Sequence, residues 1–197
     1  MIIPKNETRK FKLGTEILAE LQHALEFVLK SNPEIQPDRI MNPHLNGGKP
    51  YGVIGHKRFY ELVHNEIILE MAADVMGQDL ILLFTHLFCK NSKSTRVVPW
   101  HQDGPFWPVK PMKSCTVWLA LDDVDRENGA MKVIPGSHHR KALSHDLVTD
   151  PNSTLNRELP VQDVDEHNSE FIELEAGQVS IHDIGLIHSS AANSSGR

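Results

Sequence analysis

The sequence predicts a mainly β domain with helices at its N-terminus, built as a sandwich or a jelly-roll barrel. Three observations lead to this fold class. The first third of the chain has helical periodicity, whereas the part after Gly77 consists of short, β-branched or alternating segments. Turn sequences separate these segments without intervening helical patterns, which is typical of sandwiches and jelly rolls. The length of 197 residues and the apolar content of 40% suit one domain with a substantial core.

The first part of the chain, residues 1–78, is expected to form a helical region that supports the β core. The segment "TEILAELQHALEFVLK" predicts a helix over residues 15–30 with Thr15 as its N-cap, because its apolar residues recur at helical spacing. A second helix is expected from about Arg58 to Met76, closed by Gly77. A stretch rich in Pro, Gly and Asn between the two helices indicates a long loop.

The rest of the chain, residues 79–197, is expected to form the β core. Its strands are predicted within six segments: "DLILLFTHLFCK", "TRVVPW", "SCTVWLALDDV", "AMKVIPGSH", "EFIELEAGQVSIHD" and "LIHSS". The polar stretch near residues 140–168 carries few strand signals, which indicates an insertion that lies like a lid over one mouth of a barrel. Because there is no internal repeat or linker, we expect residues 1–197 to form a single domain.

Charge and cysteine content exclude several classes of protein. The formal net charge is −6 without a basic block, which argues against nucleic acid or an anionic membrane as a partner. Cys89 and Cys115 do not form a CxxC pair, which argues against a disulfide framework and a zinc–thiolate site. The first residues lack a signal-peptide core, and the apolar run Leu80–Phe84 is too short to span a bilayer. We therefore expect a reduced, cytoplasmic setting; the oligomeric state stays open.

The segment "VVPWHQDGPFWP" contains the first candidate for metal chemistry. Residues i and i+2 of a strand face the same side, so His101 and Asp103 can converge on one point. A third ligand must come from elsewhere in the sheet, and the candidates are His138, His139, His182 and His188. Two histidines and one carboxylate leave three positions open on a metal, an arrangement suited to Fe(II) and oxygen chemistry. A lone HxD motif is weak, because it occurs by chance in many chains.

Three segments in one order give this motif a context. "WHQDGPFWP", "CTVWLALDDVDRENGAMKVIPGSHH" and "LEAGQVSIHDIGLIHSSAANSSGR" together resemble the phytanoyl-CoA dioxygenase family of iron- and 2-oxoglutarate-dependent oxygenases. The resemblance implies a double-stranded β-helix, which is a cupin-like jelly-roll barrel. It also implies Fe(II), 2-oxoglutarate and O2 as the reactants that oxidise a small-molecule substrate. Hydroxylation with release of succinate and CO2 is the expected outcome.

The resemblance also implies roles for single residues, with no catalytic residue beyond the metal ligands. The implied ligands are His101, Asp103 and His188. His182, which we expect on the same strand as His188, is a second-choice ligand. Trp118 matches an aromatic residue beside 2-oxoglutarate, and Ser190 matches a small polar residue that touches this cosubstrate. Three further residues are interpreted as supports of tight turns: Asn128, Gly129 and Gly136.

One residue departs from the family pattern. Such oxygenases bind the far carboxylate of 2-oxoglutarate with an arginine a short distance after the distal histidine. Arg197 is the one arginine after His188, and the spacing is shorter than the family's. Either Arg197 or an arginine beyond it is expected to fill this role. We also expect the chain to lack the last strand of the barrel.

The substrate and the outcome of the reaction are less defined. Gln102 and Trp107 are expected to line the substrate pocket beside the metal. The presence of Asp103 favours hydroxylation over halogenation, because halogenating relatives replace the carboxylate with a small residue. Desaturation or cyclisation on the same iron stays an alternative. So do a non-catalytic relative that binds a metal or ligand, and a zinc hydrolase or cupin-type isomerase that needs no O2.

Overall fold

The computed structural model describes residues 11–45, 52–107 and 109–197, and the chain divides into two compact units, Lys12–Cys89 and Lys90–Arg197. The first unit holds the α-helices, and the second is built from short strands joined by turns and 3₁₀ helices. The predicted mainly β class with helices in the first part of the chain is therefore confirmed. Part of the predicted long loop, residues 46–51, lies outside the described residues.

In the part of the first unit that the structure describes there are three α-helices: α1 (Thr15–Ser31), α2 (Lys57–Val63) and α3 (Glu66–Met76). The predicted cap of α1 is wrong by one residue, because Gly14 is the N-cap and accepts a hydrogen bond from the Leu18 amide at 3.0 Å. Among the described helices, none is both long and apolar enough to cross a bilayer.

The helix predicted from Arg58 to Met76 is two helices. The break lies at Asn65, whose side-chain oxygen accepts hydrogen bonds from the amides of Ile67 (3.1 Å) and Ile68 (3.3 Å). Asn is one of the best N-cap residues, so it begins a new helix where apolar periodicity alone indicates continuity. Gly77 ends α3 as predicted, with a positive φ of 96°.

A two-stranded antiparallel sheet in the first unit pairs β1 (Ile40–Met41) with β2 (His86–Leu87). The strand predicted over "DLILLFTHLFCK" is thus shorter than expected. Its apolar run Leu80–Phe84 is not part of a strand, and Ile81 is 88% exposed. Alternating or apolar sequence indicates strand propensity, but a strand forms only where a partner supplies the hydrogen bonds.

The described residues of the second unit form eight strands: β3 (Val98–His101), β4 (Cys115–Leu119), β5 (Met131–Val133), β6 (Asp146–Leu147), β7 (Arg157–Glu158), β8 (Glu170–Ile172), β9 (Val179–Asp183) and β10 (His188–Ser190). Every predicted strand segment beyond Lys90 contains all or most of at least one of them, whereas β6 and β7 lie in the polar stretch where no strand was predicted. Four strands form an antiparallel sheet in the order β3-β10-β5-β8, while β4 pairs with β9 and β6 with β7. Apart from the consecutive pair β6 and β7, neighbours in these sheets are distant in sequence, as in Greek-key and jelly-roll proteins.

The polar insertion near residues 140–168 packs along the edge of β3. The Leu159 amide donates to the Trp100 carbonyl at 2.7 Å, and Val97 exchanges two backbone hydrogen bonds with residues 152 and 154. Leu159 is 3% exposed and belongs to a core cluster with Ile134 and Ile187. The insertion therefore covers an edge that would otherwise present unpaired backbone groups, and it completes part of the core.

The turn before β5 confirms the structural interpretation of its residues. The Asn128 side chain accepts from the Asp125 amide at 2.9 Å and donates to the Asp123 carbonyl at 2.7 Å. Gly129 has a φ of 92°, and a Cβ atom there would lie 2.7 Å from the Ala191 carbonyl oxygen. Both the backbone conformation and the space require glycine at this position.

A buried amide in the first unit generates a stability prediction. Asn32 is 2% exposed; its side chain donates to the carbonyls of Val28 (2.7 Å) and Ile54 (3.0 Å) and accepts from the Ile54 amide (2.8 Å). We expect Asn32→Ala to lower the free energy of unfolding by about 2–4 kcal/mol, because it leaves buried backbone groups unpaired. Urea denaturation followed by circular dichroism measures this.

The control for this prediction is Glu26→Gln on the same helix. Glu26 makes an exposed ion pair with Lys30 at 3.3 Å, so its replacement should change the free energy of unfolding by less than about 0.5 kcal/mol. Equal stability of the Asn32→Ala variant and the wild type would contradict the structural role assigned to Asn32.

Candidate metal centre

Two histidines and an aspartate meet in the second unit. His101 ends β3, and His188 begins β10 directly opposite it in the antiparallel register. One ligand atom from each of His101, Asp103 and His188 lies within 4.8 Å of the others. The Asp103 Oδ1 atom is 3.5 Å from His101 Nε2 and 4.0 Å from His188 Nε2. Chain segments far apart in sequence thus place three potential ligands around one point.

Asp103 lies outside the strand in which the sequence predicts it. β3 ends at His101, and Asp103 adopts a helical conformation at φ −67° and ψ −38°, just before the 3₁₀ turn Gly104–Phe106. The expectation that both residues lie in one extended strand is therefore wrong. The turn, held by a hydrogen bond from the Gly104 amide to the Ile184 carbonyl at 2.9 Å, brings the carboxylate to the imidazole.

Hydrogen bonds fix the tautomers of both histidines. His101 Nδ1 lies 2.9 Å from the Pro99 carbonyl oxygen, and His188 Nδ1 lies 2.9 Å from the Leu186 carbonyl oxygen. A carbonyl only accepts, so each Nδ1 carries the proton. Each Nε2 atom then has a lone pair directed to the side of Asp103, as metal-binding histidines require.

Burial and charge set the protonation of the group. Burial, with the nearby His101 ring, lowers the pKa of His188 to about 3. Burial opposes ionisation of Asp103, but the imidazoles of His101, His182 and His188 outweigh it and hold the pKa of this carboxyl well below its ordinary value. At neutral pH the cluster therefore offers a carboxylate and a neutral His188 imidazole, both in the form that binds a metal.

The other candidate histidines lie outside this group. His182 is on β9, not on the strand of His188 as expected, and its Nε2 atom is 3.8 Å from Asp103 Oδ2. It is a neighbour of the carboxylate, and the convergent set does not include it. His138 and His139 lie in the 3₁₀ turn Ser137–His139 and are not among the convergent ligands either.

The donors fit a first-row transition metal. Two imidazole nitrogens and one carboxylate oxygen, placed on one side of a point, are the donor set of non-haem Fe(II) sites with open positions. His101 and His188 are 5% and 8% exposed, so the site is shielded from bulk water. The cluster is thus built as a ligand set, since the carboxylate and the lone pairs face one another without a strong hydrogen bond between them.

The residues predicted to contact the cosubstrate have different surroundings. Trp118 lies two residues after Thr116 on β4, and Thr116 donates to Asp103 Oδ2 at 3.2 Å, so both side chains emerge from the face towards the metal group. The Ser190 hydroxyl donates to the Gly129 carbonyl at 2.6 Å and accepts from Lys90 Nζ at 2.5 Å. Arg197 pairs with the carboxylate of Asp125.

The residues predicted to contact substrate flank the metal ligands in sequence. Gln102 is fully buried; its side chain donates to the Gly185 carbonyl at 2.8 Å and accepts from the Leu143 amide at 2.8 Å. A substrate contact of Gln102 has no support in this geometry, because both ends of the amide bind backbone groups. Trp107 follows the 3₁₀ turn and is half-buried, and its substrate contact stays a prediction.

Sequence reasoning missed two residues that act on this site. Thr116 binds the carboxylate of Asp103, and Lys90 Nζ donates to the Ser190 hydroxyl, to its carbonyl at 3.2 Å, and to the Ala191 carbonyl. The position of Thr116, two residues before Trp118 on one strand face, could have indicated it. No sequence signal points to Lys90, since it reaches β10 from about a hundred residues away.

Comparison with known proteins places this geometry in context. The model of the phytanoyl-CoA dioxygenase (PhyH) family matches residues 15–197. A probable alpha-ketoglutarate-dependent hypophosphite dioxygenase of Stutzerimonas stutzeri is 28% identical over 96% of this chain and 64% of its own length. The peroxisomal phytanoyl-CoA dioxygenase of Bos taurus is 29% identical over 65% of this chain and 40% of its own length. The chain thus spans less than two thirds of these relatives.

Solved structures agree with the fold. The apo form of the non-heme monooxygenase ThoJ superposes with a TM-score of 0.76 at 25% identity, covering 94% of this chain and 66% of that protein. EvdO2 from Micromonospora carbonacea, solved with 2-oxoglutarate, has a TM-score of 0.71 at 18% identity, covering 91% of this chain and 76% of that one. With the family match running through both units, the chain belongs to the phytanoyl-CoA dioxygenase (PhyH) family.

Proposed function

We propose that this chain is an Fe(II)- and 2-oxoglutarate-dependent dioxygenase that hydroxylates a small molecule with release of succinate and CO2. The observation that carries the proposal is the buried convergence of two imidazole nitrogens and one ionised carboxylate within 4.8 Å. Membership of the family supports the same chemistry. Iron bound to these residues would supply the activation of O2 that couples decarboxylation of 2-oxoglutarate to oxidation of a substrate C–H bond.

The protein residues prepare the site before any reaction. His101 and His188 keep their Nε2 lone pairs free because the carbonyls of Pro99 and Leu186 hold the Nδ1 protons. Asp103 supplies the negative charge that a divalent cation needs, and burial keeps competing water away. Three protein donors leave three positions of a six-coordinate ion for cosubstrate and O2.

We also propose that residues 1–197 act as a single oxygenase domain whose second unit belongs to a double-stranded β-helix, or jelly-roll barrel. The family match over residues 15–197 supports the single domain, because it includes both units. The barrel is supported by the approach of two sheets to the Asp103 carboxylate. His101 and His188 come from the four-stranded sheet, and Thr116 and His182 come from the sheet of β4 and β9.

We further propose roles for the cosubstrate-binding and substrate-binding residues, and a class of substrate. We propose that Trp118 lies beside 2-oxoglutarate, which the strand face that it shares with Thr116 supports, and that Trp107 lines the substrate wall. Ser190 and Arg197 would have to exchange their described partners to touch the cosubstrate. A small molecule is the proposed substrate class in a cytoplasmic setting, without nucleic acid or membrane as partner, as the acidic composition predicts.

The first experiment is an anaerobic titration of metal-free protein with Fe(II) and then 2-oxoglutarate, followed by visible absorbance. A weak charge-transfer band that appears with 2-oxoglutarate supports the proposal. Succinate formation in air and its absence under nitrogen distinguish an oxygenase from a zinc hydrolase or isomerase. Metal binding without succinate under any condition would identify the non-catalytic alternative. Product analysis distinguishes hydroxylation from desaturation or cyclisation.

Removing the carboxylate ligand is the direct genetic test. We expect Asp103→Ala to lower both Fe(II) affinity and the rate of succinate formation by more than about 100-fold, because loss of an outer partner of a ligand already costs about 10–100-fold. Calorimetric metal titration and succinate quantification measure the two effects. His139→Gln, which changes an exposed histidine outside the convergent group, serves as the control and should match the wild type. Wild-type turnover by the Asp103→Ala variant would refute the assignment.

The lowered pKa of His188 predicts how the metal-free protein responds to acid. The folded value of about 3 lies below the unfolded value near 6.5, so between these pH values the unfolded chain binds a proton that the folded chain does not. The stability contribution of the neutral ring is complete above about pH 6.5 and is lost as pH falls towards 3. The depressed pKa of Asp103 acts in the same direction at lower pH, since its carboxylate must be protonated in acid.

The test compares the wild type with His188→Gln, in chelator, by urea denaturation at pH 7 and pH 5. The wild type should lose about 2 kcal/mol more unfolding free energy than the variant over this range. Because the two proteins differ only at residue 188, the difference between their profiles reports the titration of His188 together with its effect on the neighbouring Asp103 carboxyl. Parallel pH profiles for the two proteins would show that the His188 ring does not titrate as its burial requires.

A further inference from the structure

The two oxygens of the Asp103 carboxylate have different neighbours. Oδ1 faces the imidazoles, 3.5 Å from His101 Nε2 and 4.0 Å from His188 Nε2. Oδ2 faces the other sheet, where it accepts a hydrogen bond from Thr116 Oγ1 at 3.2 Å and lies 3.8 Å from His182 Nε2. One oxygen is therefore turned to the ligand point and the other away from it.

The two residues beside Oδ2 form one cross-strand pair of a sheet. Thr116 on β4 and His182 on β9 are direct partners in the antiparallel register, next to the Cys115↔Asp183 end of a ladder that runs to Leu119↔Val179. Side chains of such a pair emerge on the same face with their Cβ atoms about 5 Å apart. The pairing of β4 with β9 thus places the Thr116 hydroxyl and the His182 ring beside the same carboxylate oxygen.

Besides this contact, the His182 ring packs against the ring of His188, with centroids 5.0 Å apart. It is 4% exposed, and its Nδ1 atom has no hydrogen-bond partner within the described ranges. It is not one of the convergent ligands. A buried, partly unsatisfied ring is costly to keep, and its remaining nitrogen points towards Asp103.

We propose that Thr116 and His182 are positioning residues that engage Oδ2 of Asp103 and leave Oδ1 alone to bind the metal. The inference rests on the proposed function and extends it. Two histidines and a carboxylate that binds through one oxygen leave three positions of a six-coordinate ion open, whereas binding through both oxygens leaves two. A chelating cosubstrate and O2 together need three. The Thr116–His182 pair thereby keeps the third position free.

The test uses two conservative pairs of variants with controls from the opposite face of the same strands. Thr116→Val removes the hydroxyl at nearly constant volume, and Thr116→Ser retains it. His182→Leu removes the ring nitrogens, and His182→Gln keeps an N–H donor. Val117→Thr and Ile181→Val alter the neighbouring cross-strand pair, which faces the other side. Thermal unfolding of each metal-free protein identifies the variants that are folded.

Two binding constants are measured without turnover: Co(II) affinity by calorimetry, and 2-oxoglutarate affinity at saturating Co(II) by the visible spectrum. We expect Thr116→Val and His182→Leu to weaken metal binding about 10-fold. We also expect both to weaken 2-oxoglutarate binding to the metal-saturated protein, with a changed Co(II) spectrum before cosubstrate is added. Thr116→Ser, His182→Gln and the two controls should remain within about threefold of the wild type.

The outcomes separate this inference from the proposed function. Folded Thr116→Val and His182→Leu proteins that bind Co(II) and 2-oxoglutarate as the wild type does would overturn the inference and leave the proposed function intact. Loss of binding that Ser and Gln do not restore would also overturn it, because shape and not hydrogen bonding would then be responsible. A wild-type protein that binds neither metal nor cosubstrate would overturn the proposed function itself. If one variant of the two does not fold, the other pair decides.

Discussion

The pairing of β3 with β10 is the constraint on which the site depends. It sets His101 directly opposite His188, with ring centroids 4.1 Å apart, although the two residues lie far apart in the chain. The sheet order β3-β10-β5-β8 holds β10 between two partners, so His188 is positioned from both sides. A register slip of one residue would turn His188 to the opposite face and leave His101 and Asp103 without a third ligand.

The electrostatics of the cluster follow from this geometry. A carboxylate, 16% exposed in its side chain, is kept ionised among imidazoles whose protons are bound to carbonyls on the far side of each ring. Such a group is costly in the metal-free protein, because a largely buried carboxylate has lost much of its hydration without a bound cation to replace it. A divalent cation relieves that cost, so metal binding and stability of the second unit are coupled. The arrangement of these side chains is therefore more favourable with a bound cation than without one.

Sequence reasoning reached the parts of this site that are local and missed those that depend on strand pairing. The HxD spacing and the resemblance indicated His101, Asp103 and His188, but Asp103 was expected in the strand and belongs to the turn that the following Gly104-Pro105 marks. His182 was expected beside His188 on one strand; it reaches the same carboxylate from a different sheet. Asn65 shows the same limit in the helices, because apolar periodicity continues through a residue whose side chain begins a new helix.

Gln102, the middle residue of "HQD", connects the segments around the metal group. Gln102 binds the Gly185 carbonyl in the turn that leads to His188, and the Leu143 amide at the start of the insertion. The backbone N–H of Gln102 donates to His145 Nε2 at 3.1 Å. His145 Nδ1 lies 3.0 Å from the Leu143 carbonyl oxygen, which fixes the tautomer of the His145 ring. A single buried residue between two ligands thus joins the segments that carry the third ligand and the insertion. Substitutions in the insertion near residue 143 can therefore shift the metal ligands without touching them, since the connection runs through well-formed hydrogen bonds to Gln102.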